Sequence, residues 1–100
     1  MAEEKLFVYG TLLDTEVQRA VFGREAHSEP AILKGFLRSE VGIGNRTYPI
    51  LLESTDHDVE GIVLTITPYE LEKIDNYETS AYRRVRAKTN RGIEVWVYCK

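Results

Sequence analysis

Lys5-Leu6-Phe7-Val8-Tyr9-Gly10-Thr11-Leu12 decides how the chain is laid out. Residues 5–9 form a short, nearly continuous apolar run closed by a glycine. Such a run is too short for a buried helix and lacks the alternation of a half-exposed strand. It predicts a strand buried on both faces. Beyond the turn, Asp14 or Thr15 can cap a helix that carries Val17, Ala20 and Val21 on one stripe and stops at Gly23. A strand that leads at once into a helix needs a crossover, so at least one parallel strand pair is expected.

Downstream the pattern changes to strands. Residues 31–39 read as a strand bent or bulged at Gly35, and residues 42–46 read as a loop. Residues 48–52 read as a short strand with Pro49 at an edge or bend, and Asp56-His57-Asp58 as a turn. Residues 59–67 follow as a strand with Ile62, Leu64 and Ile66 on one face. Thr67-Pro68-Tyr69-Glu70 is a helix start: Thr67 caps, Pro68 takes the first helical position and Glu70 completes a capping box. That helix carries Leu71 and Ile74 and is expected to end near residues 75–77. Residues 82–89 and 93–98 form a hairpin around Asn90-Arg91-Gly92. The order β-α-β-β-β-α-β-β, with about six strands, predicts a small mixed α+β fold. Its sheet is mostly antiparallel, curled or barrel-like, with two short helices.

With 100 residues and no linker or repeat, a single domain over 1–100 is expected. The lone Cys99 excludes an internal disulfide and a multi-cysteine zinc site, and fits a reducing compartment. The acidic N-terminus has no signal-like apolar core and no long apolar run follows, so a cytoplasmic protein away from membranes is expected. The formal net charge of −3 argues against nucleic acid as the main partner. Charge is nonetheless segregated: residues 53–78 hold eight acids and one base, whereas residues 79–91 hold five bases and no acid. Adjacent blocks of this kind pair across strands, face solvent or form a basic ligand patch.

Two places carry possible chemistry. At the exit of the first strand, Tyr9-Gly10-Thr11-Leu12 offers backbone N–H groups to a carboxylate or oxyanion, and Gly10 allows close approach. At the end of the second helix, Asp75 and Glu78 face an unfavourable helix dipole. A carboxylate there is either paired with Arg83 or Arg84, or works as a general base with its pKa raised by an apolar pocket. His27 and His57 lie in polar stretches with no partner at motif spacing. Asp56, His57, Asp58 and Glu60 make at most a weak metal cluster, because neighbouring strand residues diverge to opposite faces. Cys99, next to the chain end, reads as a packed thiol rather than a nucleophile.

Six stretches taken in order change the weight of these signals. They are Phe7-Val8-Tyr9-Gly10-Thr11-Leu12, Tyr48-Pro49-Ile50-Leu51, Val59-Glu60-Gly61, residues 71–78 ending in Asp75-Asn76-Tyr77-Glu78, Tyr82-Arg83-Arg84 and Val95-Trp96-Val97-Tyr98. Together, over about residues 5–98, the chain resembles the γ-glutamylcyclotransferase-like family. The resemblance implies a small α+β fold with a curled, barrel-like sheet. It also implies an intramolecular reaction in which the α-amine of a γ-glutamyl amine or amide attacks its own γ-carbonyl, releasing 5-oxoproline and an amine. It implies that Tyr9, Gly10, Thr11 and Leu12 hold the glutamyl end. Glu78 is then the catalytic acid/base, with Ile74 in the place of the family's leucine before Asp75. Tyr82 becomes a pocket wall, and Tyr48 and Tyr98 join the substrate-binding set. No metal or organic cofactor is implied. Thr79 stands where the family usually has glycine. The chain stops at Lys100, shortly after the last strand, which leads to the expectation of an open pocket. Two other readings accompany this one: a small-carboxylate-binding protein of the same fold without turnover, and an interaction module using the basic strand over residues 83–88. The expected partner is a small γ-glutamyl or carboxylate ligand, with no nucleic acid and no membrane. The oligomeric state is not specified by the sequence.

Overall fold

The computed structural model describes residues 3–78 and 82–99. In chain order the elements are β1 (Glu4–Val8), a 3₁₀ turn (Thr11–Leu13), α1 (Thr15–Phe22), β2 (His27–Ile43), β3 (Arg46–Ile66), α2 (Pro68–Glu78), β4 (Arg83–Lys88) and β5 (Glu94–Cys99). They build a mixed α+β fold around one five-stranded sheet of order β2-β3-β1-β5-β4. The sheet is antiparallel except where β1 runs parallel to β5, with Leu6 opposite Trp96. It curls until its edges meet at a single bridge between Leu33 and Thr89, beside the Asn90 amide that donates to the Ile32 carbonyl at 2.8 Å.

Five strands replace the expected six, because residues 48–52 and 59–66 belong to the same strand, β3. The Asp56-His57-Asp58 stretch is no free turn: β3 runs through it, paired with β2 on either side. The local composition points to a turn, but the long partner strand supplies backbone hydrogen bonds that keep the chain extended. The irregularity is confined to a bulge, since Lys34 faces Asp58 while Phe36 faces Glu53, leaving Gly35 opposite residues 54–57. The expected loop over residues 42–46 shrinks to a turn at Gly44 and Asn45. In the bulge the His57 ring bonds the Ser54 hydroxyl at 2.6 Å in an exposed position. Among the described residues no three His, Cys, Asp or Glu side chains converge as metal ligands. Among the described residues no helix is long and apolar enough to cross a membrane.

β1 is buried on both faces. Leu6 and Val8 face a core with Leu12, Phe22, Leu64, Ile66, Leu71 and Ile74 beneath the helices. Phe7 and Tyr9 face a second core with Leu33, Leu51, Val63, Val95 and Val97 inside the curl. Placing these apolar side chains away from water is the main stabilising term. Asp14 caps α1 by accepting from the Glu16 amide at 2.9 Å, and Gly23 ends it. The capping box forms: Glu70 Oε1 accepts from the Thr67 amide at 2.9 Å, and Thr67 Oγ1 accepts from the Glu70 amide at 3.1 Å. Glu70 also holds the Arg24 guanidinium at 2.6 and 2.8 Å, tying the end of α1 to the start of α2 and keeping the Glu70 carboxyl below its ordinary range.

Gln18 is a polar residue on the buried side of α1 and the position that hydrophobic periodicity misses. Its Nε2 donates to the Leu12 carbonyl at 2.8 Å, and its Oε1 accepts from the Ala26 amide at 3.0 Å. One side chain thereby fastens the loop after β1 to the chain entering β2. Gln18→Leu would leave a carbonyl and an amide buried without partners. A loss of about 2 kcal/mol or more is expected in urea denaturation.

Candidate active site

A cavity of about 340 Å³ opens where the loop after β1, the start of β3, the end of α2 and the end of β5 converge. Its lining includes Tyr9, Gly10, Thr11, Leu12, Tyr48, Glu78, Tyr82 and Tyr98, so all eight residues singled out from the sequence lie around one space. Phe7, Val8, Pro49 and Tyr77 complete it. Tyr77 is the aromatic that sequence reasoning left aside. It flanks Glu78 and its hydroxyl shares a 2.9 Å hydrogen bond with Thr11 Oγ1, joining α2 to the loop after β1.

That loop is set by tight packing. A Cβ on Gly10 would stand 3.0 Å from Pro49 Cγ, so the chain passes close against β3 here. The first bond of the 3₁₀ turn runs from the Leu13 amide to the Gly10 carbonyl at 3.0 Å, which leaves the Thr11 and Leu12 amides ahead of it without intrahelical acceptors.

The two carboxylates at the end of α2 divide sharply. Asp75 is structural: Arg84 Nε meets its Oδ1 at 2.9 Å and Arg84 Nη2 its Oδ2 at 3.1 Å, while the Tyr98 hydroxyl donates to Oδ1 at 2.5 Å. These bonds pin the last turn to the sheet and carry the helix through Glu78, beyond the end expected near residues 75–77. Glu78 is half-buried and, among the described residues, has no hydrogen bond or ion pair. Burial in this apolar setting pushes its carboxyl from about 4.5 up to about 7. Thr79, beside it, lies outside the described residues.

The three inner tyrosines are well fixed. Tyr9 donates to the Tyr98 carbonyl at 2.6 Å and Tyr82 to the Pro49 carbonyl at 3.1 Å, besides the Tyr98 bond to Asp75. Burial, assisted by the Glu78 charge, pushes the Tyr9 and Tyr82 phenols up, as do burial and the Asp75 bond for Tyr98. The acidic and basic blocks do meet across the fold, through Arg84 with Asp75 and Arg83 with Glu53 at 3.5 Å. Arg84 and Arg86 also stack on the Trp96 ring, whose Nε1 donates to Glu4 at 2.7 Å. Cys99 is buried, and burial raises its thiol pKa.

The family profile described as gamma-glutamyl cyclotransferase, AIG2-like, matches residues 6–100. The chain belongs to this family. Protein AIG2 C of Arabidopsis thaliana is 32% identical to this AIG2-like chain over 87 residues, covering 86% of this chain and 52% of that protein. The AIG2-like chain thus spans about half the length of the curated relatives it matches. An Arabidopsis thaliana protein solved in solution superposes with a TM-score of 0.86 at 28% identity, covering 99% of this chain and 62% of that one. A solved gamma-glutamyl cyclotransferase shares the fold with a TM-score of 0.75 at 19% identity, over 98% of this chain and 66% of its own.

Proposed function

We propose that this AIG2-like protein cyclises a γ-glutamyl amine or amide to 5-oxoproline and the free amine, with Glu78 as general acid/base. The carrying observation is Glu78 itself, a carboxyl without a partner among the described residues, on the wall of a tyrosine-lined cavity and poised near pH 7 by burial. A positioned base with such a pKa takes a proton from the substrate's α-ammonium and frees the nitrogen lone pair. The nitrogen bonds to the γ-carbonyl carbon, and the tetrahedral oxyanion collapses as the C–N bond to the leaving amine breaks. Glu78 returns its proton to that amine, and the second proton of the ring nitrogen passes through Glu78 to the departing amine, which leaves as the ammonium and leaves a neutral lactam N–H. Ring closure is intramolecular, so most of what the protein supplies is orientation. The amides of Thr11 and Leu12 offer donors for the substrate carboxylate or the oxyanion.

The test incubates the protein with a panel of γ-glutamyl amines, amides and peptides and measures 5-oxoproline. Turnover is expected, with kcat/KM rising along an acid limb centred near pH 7, because Glu78 must lose its proton to act. An inert panel, or an acid limb near pH 4–5, as for an ordinary carboxyl, removes the reading.

A further inference from the structure

A second cavity, of about 40 Å³, lies at the opposite end of β1 from Tyr9, and no described residue lines both cavities. It is bounded by the start of β1, the end of β3, the start of β2 and the turn from β4 to β5. The Leu33–Thr89 bridge and the Asn90 amide on the Ile32 carbonyl fix that turn where the curl closes. Side chains alternate along a strand, so Lys5 shares the inward face of Phe7 and Tyr9. Its ammonium finds one acceptor among the described residues, Thr65 Oγ1 at 2.7 Å, on the β3 residue directly opposite. An ammonium has three protons to donate, so the others are left over. Because Thr65 Oγ1 accepts from Lys5, its own proton points elsewhere, and no acceptor among the described residues takes it. Thr89 repeats the pattern. It is 4% exposed, its Oγ1 accepts from the Arg91 and Ile93 amides at 3.3 Å each, and its proton is also without an acceptor among the described residues. Arg91 lines the same space, and its guanidinium meets no carboxylate among the described residues. Glu29 is the one carboxylate in the described lining. Its side chain is 67% exposed and faces His27 at 3.4 Å rather than Lys5, so water screens its charge.

We propose that this cavity is a binding site for one small oxyanion of phosphate size, held by the Lys5 ammonium, the Thr65 and Thr89 hydroxyls and the Arg91 guanidinium. Two cations and two hydroxyls with protons to give form a donor set that water alone would fill less well than an anion, because hydrogen bonds from charged donors to an anion are the strong ones. The volume takes a few waters or a single phosphoryl head, and excludes a γ-glutamyl substrate. Bound there, the anion ties β1 and β3 to the turn between β4 and β5 and braces the seam where the curl closes. The site is independent of the cyclisation reading, since it shares no described residue with the cavity around Glu78.

The experiment is an NMR titration with inorganic phosphate at pH 7 and constant ionic strength, with sodium chloride as the control. Phosphate should give saturable shifts at the amides of Lys5, Thr65 and residues 89–91, with a Kd on the order of 1 mM. Lys5→Met keeps the apolar stem and removes the charge. It should weaken binding about tenfold, the loss expected for a hydrogen bond from a charged donor. Arg91→Gln, in an exposed turn, should weaken binding about threefold and keeps the test decisive if Lys5→Met fails to fold. Glycerol 3-phosphate, titrated alongside, separates two sources of the same chemistry. An ester that binds as well identifies a phosphoryl head with its tail in solvent, and an ester that is excluded identifies the free ion. The proposal is overturned by the absence of saturable shifts, by shifts that chloride reproduces, or by shifts centred on Thr11 and Leu12 instead. Binding that the folded variants leave unchanged overturns it too.

Discussion

Glu78→Gln should reduce turnover by about 10²–10⁴-fold on any substrate the wild type processes, and at the same time make the protein more stable above pH 7. The amide keeps the shape of the side chain and cannot take a proton from an ammonium group. The stability gain follows from the titration. The carboxyl releases its proton near pH 4.5 in the unfolded chain and near 7 in the folded one, because burial disfavours its charged form. Between these values the folded protein holds a proton that the unfolded chain has lost. Wild-type stability therefore falls as pH rises through this window, and the full penalty is present above it. Solvent screening of a half-buried group brings the effect to about 1–2 kcal/mol. Urea denaturation of both proteins should give equal stabilities below pH 4.5 and a variant ahead by this amount at pH 8. Retained turnover would remove Glu78 from the chemistry, and a difference that ignores pH would contradict its elevated pKa.

Gly61→Ala is expected to destabilise the fold by about 3 kcal/mol or more, lowering Tm by over about 10 °C. Gly61 lies in β3 against the end of β1. A Cβ there would fall on the Val8 carbonyl oxygen and stand 2.6 Å from Phe7 Cζ. A flexible side chain could swing away, but a backbone carbonyl within a paired strand cannot. Relief would require β1 to shift, and β1 leads directly into Tyr9 and Gly10 at the cavity, so binding should weaken with stability. Thermal denaturation checks the first effect, and a loss below about 1 kcal/mol would mean that β1 yields more easily than its two-sided burial implies.

Gly61 also illustrates what is legible in a sequence. Residues 59–67 read as a strand from their β-branched pattern, and Gly61 stands inside as an unexplained interruption. The Phe7 ring that requires it is more than fifty residues away and becomes visible only when β1 and β3 pair. The same holds for β3 as a whole. Its two apolar pieces were legible, but their union across Asp56-His57-Asp58 depends on β2 as a partner.

The site divides along the same line. Tyr9-Gly10-Thr11-Leu12 and Glu78 could be singled out from their neighbours and from a family likeness. The sequence could not say which of Asp75 and Glu78 is paired, since Arg84 and Tyr98 arrive from β4 and β5. What the sequence by itself determined is local: the two-faced strand, the capped helices and the capping box, because each depends on residues within a few positions of one another. The tertiary structure alone decided the strand order, the closure of the curl at Leu33 and Thr89, and the gathering of five tyrosines around the Glu78 carboxyl. It also decided the directions of their hydroxyl bonds. Those features depend on contacts between distant segments, and burial, which raises the pKa of Glu78, exists only once those segments have come together.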